Sequence, residues 1–350
     1  MESSGSGRRG RRARRSRRPL LLAALAVVAM GGVTAGGTVY VTARTHSGAG
    51  PVSSASSPSP SSSAAAGEEA SVESAAQPVT VDREALLSES MASVTVPSGA
   101  RVSAAVLETG SGESATYDTA AFDTASIVKV DILAALLLRA QDAGRGLTAA
   151  ERAHATKMIE NSDNASATAL WHAIGRAGGL DAANERFGLT HTSGGDGELW
   201  GLTRTTAADQ LLLLRQVFGA DSELSAASRG YVRKLMGAVE ADQQWGVSAA
   251  GSSWALKNGW LARSTTGLWD VNSVGRVTVD GTEYLVAVLS RGTTTQAEGI
   301  SLVEAAAKAA VSAFTRADSA ASPGTASPGT GSASLGTDSA ASGTGFAAGS

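Results

Sequence analysis

The chain is 350 residues long and 43% hydrophobic, with no cysteine, four histidines and a formal charge of −3. Without cysteine there can be no disulfides, thiolate metal sites or cysteine-linked lipids, and His46, His154, His172 and His191 are scattered without ligand-like spacing, so neither metal nor cofactor is expected. The charge is uneven: nine arginines and one glutamate precede Thr45, leaving 20 basic and 31 acidic residues, a formal −11, in 45–350, and such an acidic body argues against nucleic acid as a partner.

From the N-terminus, residues 1–19 are basic, with eight arginines, and residues 20–43 carry no charge at all. A basic run ahead of about 20 apolar residues reads as an export signal or a membrane anchor, arginines on the cytoplasmic side and everything after Ala43 sent across. The length favours a retained single-pass anchor; Val41-Thr42-Ala43 offers small residues for cleavage, which would make the protein secreted instead. Residues 44–80 and 318–350 are rich in Ser, Ala, Pro and Gly, with a small SPGT repeat in the tail. Such composition cannot bury enough apolar surface to fold, so a disordered linker and a disordered tail are expected. One substantial domain, monomeric, is expected over 81–317.

Within that domain, "RVSAAVLET" (101–109) and "SATYDTA" (114–120) read as a hairpin across Gly110-Ser111-Gly112. The spacing predicts helices over 126–142, 150–160, 165–175, 206–218 and 225–239, with Thr206 and Ser225 as N-caps of the last two. Strands return at 252–257, 268–279 and 283–290, and 297–317 has the spacing of an amphipathic helix. Strands at both ends with helices between them predict an α+β fold. One antiparallel sheet, in which the first hairpin pairs with the last three strands, is interrupted by an all-helical insertion. A cleft between sheet and insertion is the natural ligand site.

The stretch "TASIVKVDILAALLL" (124–138) places Lys129 in an otherwise apolar helix, three residues after Ser126. At i and i+3 the two side chains share a helical face. Burial disfavours the charged ammonium, and a partly neutral amine can take the hydroxyl proton of Ser126 and make it a nucleophile. A lone S-x-x-K is more simply a snorkelling lysine. Two further motifs follow, however: Ser162-Asp163-Asn164 between two helices, and Lys257-Asn258-Gly259 at the end of a strand. Singly these are turn and cap chemistry. In this order they resemble the S-x-x-K, S-D-N and K-T-G set of the penicillin-recognising serine hydrolases, most closely class A β-lactamases, over about residues 85–316.

That resemblance implies a sheet flanked by N- and C-terminal helices, an inserted all-helical lobe, and an acyl-enzyme mechanism without a cofactor. Ser126 would be the nucleophile and Lys129 its base. Ser162 would pass a proton to the leaving nitrogen under the influence of Lys257. Asn164 would hold the substrate amide and Lys129. Lys257 would attract the substrate carboxylate and help keep Lys129 neutral, Asn258 and Gly259 would complete the substrate-binding strand, and the backbone N–H groups of Ser126 and Trp260 would form the oxyanion hole. Glu198, in "TSGGDGELWGLTRTTAAD" (192–209), would activate the deacylating water, with Asp196 a second candidate; only six residues separate it from Thr205, a short return. A working Glu198 implies a β-lactamase, its absence a D-alanyl-D-alanine carboxypeptidase or penicillin-binding protein acting on peptidoglycan peptides. A relative that only binds cell-wall fragments is the reading from another class; the retained Ser and Lys residues argue against it, because buried charges without a task are costly. Asn258 stands where the family has Thr or Ser, and an amide reaches differently from a hydroxyl. Trp200, Trp245 and Trp260 fall beside these segments, as packing residues or as cleft lining.

Overall fold

Val102, Ala104 and Val106 alternate with Ala105 and Leu107, and all five are buried, so this strand is covered on both faces. It is β1 (Arg101–Glu108), and it pairs antiparallel with β2 (Ser114–Tyr117) on one side. The computed structural model describes residues 81–321, with side chains through Arg316. The basic segment, the apolar run of 20–43, the linker and the tail beyond 321 lie outside the described residues. Among the described residues no helix is long and apolar enough to cross a membrane.

On its other side β1 pairs with the last strand, as expected. The five-stranded antiparallel sheet has the order β2-β1-β7-β6-β5, with β5 Ser253–Ala262, β6 Trp269–Val279 and β7 Thr282–Thr293. Asp280 and Gly281, both at positive φ (49° and 84°), make the tight turn between β6 and β7. A two-stranded ribbon joins β3 (Phe122–Asp123) to β4 (Arg204–Thr205) at the edge of the cleft.

One face of the sheet is covered by α1 (Arg83–Ala92) and α8 (Gln296–Ala321). There Val102, Val106, Val286 and Val288 pack with Val303, Ala307 and Phe314. Helix α8 runs past the expected boundary at 317 to Ala321. The other face, through Leu285, Ala287 and Leu289, shares its core with the inserted lobe. The lobe comprises α2 (Val128–Asp142), α3 (Ala149–Glu160), α4 (Asn164–Ile174), α5 (Arg176–Phe187), α6 (Ala207–Phe218) and α7 (Ala226–Met236). Caps fix its boundaries: Thr148 and Glu151 form a capping box, and Asp163, Thr206 and Ser225 each accept a backbone N–H in the first turn of α4, α6 and α7. Helix α5 was not expected from the sequence. Its Gly178-Gly179 pair argues against a helix, yet a Cβ on Gly179 would lie 1.7 Å from the Ile174 carbonyl oxygen, so glycine is what lets α5 leave the end of α4.

Candidate active site

The nucleophile candidate sits at the start of the central helix. Ala125–Ile127 form a single 3-10 turn that leads into α2. Ala125 has φ +47°, a left-handed conformation that costs a non-glycine residue about 1–2 kcal/mol. The turn is held from outside: the Asn272 amide donates to the carbonyls of Asp123 and Thr124, and the Thr124 N–H donates to Thr203. Asn272 was missed by sequence reasoning. An asparagine inside an apolar strand was the available signal, since strands disfavour it unless its amide has work to do.

Burial then sets the electrostatics. Lys129 is fully buried, and its Nζ lies 2.9 Å from Ser126 Oγ, 2.9 Å from Ser162 Oγ, 2.7 Å from the Ser162 carbonyl and 2.8 Å from Asn164 Oδ1. Loss of water pushes its ammonium down to about 7, against an opposing pull from Asp163. Lys257 is equally buried; its Nζ donates to Ser162 Oγ at 3.1 Å and to the Asn258 carbonyl at 2.9 Å. Burial first, and the charge of Lys129 second, hold it well below the ordinary lysine range. Ser162 thus bridges two lysines, and its own φ of +54° places a second left-handed non-glycine residue at the site.

Strand β5 closes the other wall. It runs straight through Lys257, Asn258, Gly259 and Trp260, so this motif lies within the strand and not at its end. Gly259 is indispensable here: a Cβ would fall 2.6 Å from Ser126 N, 2.8 Å from Ile127 N and 2.9 Å from the Thr124 carbonyl. That close approach brings the edge strand, and with it the backbone of Trp260, against the nucleophile turn. Asn258 behaves differently from the expectation. Its amide is buried and donates both protons inward, to the carbonyls of Gln243 and Trp245, at 2.8 Å each. No donor is left over for a substrate carboxylate. Trp260 packs against Trp245, ring centroids 6.0 Å apart.

Glu198 is not brought to this cluster. Its carboxylate accepts from Arg176 Nε at 3.0 Å and meets His172 Nε2 at 2.6 Å, with half of the side chain exposed. Among the described residues it makes no hydrogen bond to Ser126, Lys129 or Asn164, and neither does Asp196. The residue of this loop that faces Lys129 is Trp200, whose ring centroid is 4.9 Å from Nζ. Its indole N–H donates to Thr168 Oγ1 on α4. Trp200, Leu202, Leu261 and Arg263 line a cavity of about 540 Å³, and Glu198 is among its lining residues. Trp200 therefore lines the cleft.

Comparison with known proteins agrees with this architecture. The beta-lactamase enzyme family matches over residues 142–314. No curated protein is significantly similar. Among solved structures, PBP-A aligns at 18% identity over 66% of this chain and 96% of its own, with a TM-score of 0.58. A PBP-A mutant solved as an acyl-enzyme complex with penicillin G aligns at 20% identity, 66% and 97% coverage and a TM-score of 0.56. A class A beta-lactamase from Bacteroides cellulosilyticus aligns at 14% identity, 68% and 100% coverage and a TM-score of 0.58. These likenesses show the fold; with the family match over residues 142–314 and the Ser126–Lys129–Ser162 cluster, they support a β-lactamase/transpeptidase-like serine hydrolase.

Proposed function

We propose that the chain is a serine acyl-transfer enzyme, acylated at Ser126 by β-lactams and by peptidoglycan peptides of the D-alanyl-D-alanine type, and that its β-lactam acyl-enzyme persists. The observation that carries this is the buried Lys129 amine, in hydrogen-bond contact with both Ser126 Oγ and Ser162 Oγ. Neutral Lys129 takes the Ser126 proton as Oγ attacks the carbonyl carbon. The oxyanion forms beside the backbone N–H groups of Ser126 and Trp260. Ser162, between the two lysines, hands a proton to the leaving nitrogen as the C–N bond breaks. Asn164, whose carbonyl holds Lys129, retains its NH₂ for the substrate's amide carbonyl. Lys257 supplies positive potential for the substrate carboxylate, without help from Asn258.

Persistence follows from where the carboxylates lie. Deacylation needs a base against the attacking water, and Trp200 occupies the side of Lys129 from which this loop would offer one. A hydrolytic class A β-lactamase is the second reading; it is favoured by Glu198 lining the same cavity as Trp200. The full-length chain in detergent, mixed with benzylpenicillin and sampled from seconds to hours by intact-mass spectrometry, tests this, with Ser126→Ala as control. An adduct on the native protein lasting for hours supports the penicillin-binding reading. Rapid clearance with drug turnover replaces it by the β-lactamase reading, and no adduct removes both. The basic and apolar N-terminal segments support a domain facing the cell wall, anchored or released; protease treatment of intact cells should then remove it.

A further inference from the structure

We propose that His172 and Arg176 are positioning residues that hold the Glu198 carboxylate away from the acyl bond on Ser126 and so set the lifetime of the acyl-enzyme. This rests on the acylation reading above. Each carboxylate oxygen has its own keeper: Oε2 meets His172 Nε2 at 2.6 Å, and Oε1 accepts from Arg176 Nε at 3.0 Å. Arg176 follows Gly175 and has φ +58°, a strained backbone that only the surrounding structure can impose. The flanking loop is tied to the same helix, since Trp171 Nε1 donates to the Gly197 carbonyl at 2.8 Å and Trp200 Nε1 to Thr168 Oγ1 at 3.1 Å.

Thr168, Trp171 and His172 stand at i, i+3 and i+4, one face of α4. The first residue of that helix is Asn164, which holds Lys129. Helix α4 is thus a ruler between the acylating amine and the loop. Glu198 is kept ionised, chiefly by His172 and then by Arg176, so it is a base in the right protonation state at the wrong place. The loop itself reaches the nucleophile turn: Trp200, two residues on, faces Lys129, and a Cβ on Gly201 would lie 4.0 Å from Ala125 Cα.

Released from His172 and Arg176, the carboxylate would be free to turn within the cavity it already lines, towards the acyl bond. Water would lose a proton to Glu198 as its oxygen bonds to the acyl carbon. Collapse of the tetrahedral adduct would break the bond to Ser126 Oγ, which takes the proton back from Glu198. Exposed contacts of this kind are individually weak, so the latch is expected to bias the loop by roughly one order of magnitude.

The test uses the full-length chain, benzylpenicillin and intact mass. In the double variant His172→Ala/Arg176→Ala, the rate of adduct formation should stay within about twofold, while adduct lifetime falls roughly tenfold. Adding Glu198→Gln to that variant should restore the long lifetime, and Glu198→Gln alone should change nothing. Arg176→Lys, which keeps a cation, should retain most of the lifetime. A lifetime unchanged in the double variant overturns the latch while leaving the acyl-enzyme reading intact. A lifetime shortened equally with Gln at 198 also overturns it, because loosening without a base would then be the cause. A chain never acylated at Ser126 removes both.

Discussion

At the scale of single residues, the site is governed by how water is kept from two amines. Lys129 is pushed down to about 7 by burial, so the form able to accept the Ser126 proton is already half populated near neutrality. Acylation should therefore rise with pH through about 7 and level off above it, checked by stopped-flow acylation with a chromogenic β-lactam between pH 5 and 9. Lys129→Arg, with a side chain that stays charged, should lower the acylation rate by about 10²–10⁴ across the whole range. Asn258 gives a prediction of the opposite kind. Because its NH₂ is spent on the Gln243 and Trp245 carbonyls, Asn258→Thr should not improve β-lactam capture. It should cost about 1–3 kcal/mol of stability by stranding a buried acceptor, measurable by urea unfolding.

At the scale of elements, the catalytic turn and strand β5 touch without side chains between them. Gly259→Ala would drive a methyl into the backbone nitrogens of Ser126 and Ile127. Backbone cannot yield as a side-chain tip does, so the strand must move and the oxyanion pocket with it. Acylation should fall by about 10²–10³, the usual result of losing one oxyanion donor, while circular dichroism keeps its native shape. The hairpin, the three C-terminal strands and most lobe helices were legible because their apolar periods and caps are local signals. Helix α5 was not, since Gly178-Gly179 answers to a contact with the end of α4 that no local pattern announces. The S-x-x-K and S-D-N residues were legible as a set, and Ser126, Ser162 and Asn164 all lie within hydrogen-bond distance of Lys129. The position of Glu198 was not: its loop is aimed by Thr168, Trp171, His172 and Arg176 of another segment, and their partners become visible only in three dimensions. Trp200 was noticed for its place beside the site, but its stacking on Lys129 depends on the same anchoring.

At the scale of the whole molecule, α2 is the axis on which the helical lobe is built, buried on nearly all sides from Val128 to Leu138. It carries a second ionisable group that the chemistry does not use. Asp131 is fully buried, and among the described residues neither carboxylate oxygen has a hydrogen-bond partner. Burial first, then the charges of Asp209 and Asp181, push its carboxyl up to about 7. Those two acids have their own work at the base of the loop: Asp209 accepts from the His191 N–H and the Thr192 hydroxyl, and Asp181 from the Gly194 N–H. The folded state therefore holds a proton on Asp131 that the unfolded chain releases near pH 4. Stability from this group is fully present below about pH 4 and is lost as pH rises to about 7, a change on the order of a few kcal/mol. The depressed lysines act in another window: Lys129 binds its proton less well when folded, so its burial costs most below about 7 and ceases to cost as pH rises towards the ordinary lysine range. The two windows meet near neutrality, where the domain should be less stable than at pH 5. Asp131→Asn keeps the shape and removes the charge. Urea unfolding of the variant should show a markedly shallower fall between pH 5 and 7 than the parent, the remainder coming from Asp270, whose carboxyl burial pushes up to about 6, and the variant should be the more stable of the two at pH 8. A parent profile already flat over that interval would mean that Asp131 finds a partner in solution and keeps its charge.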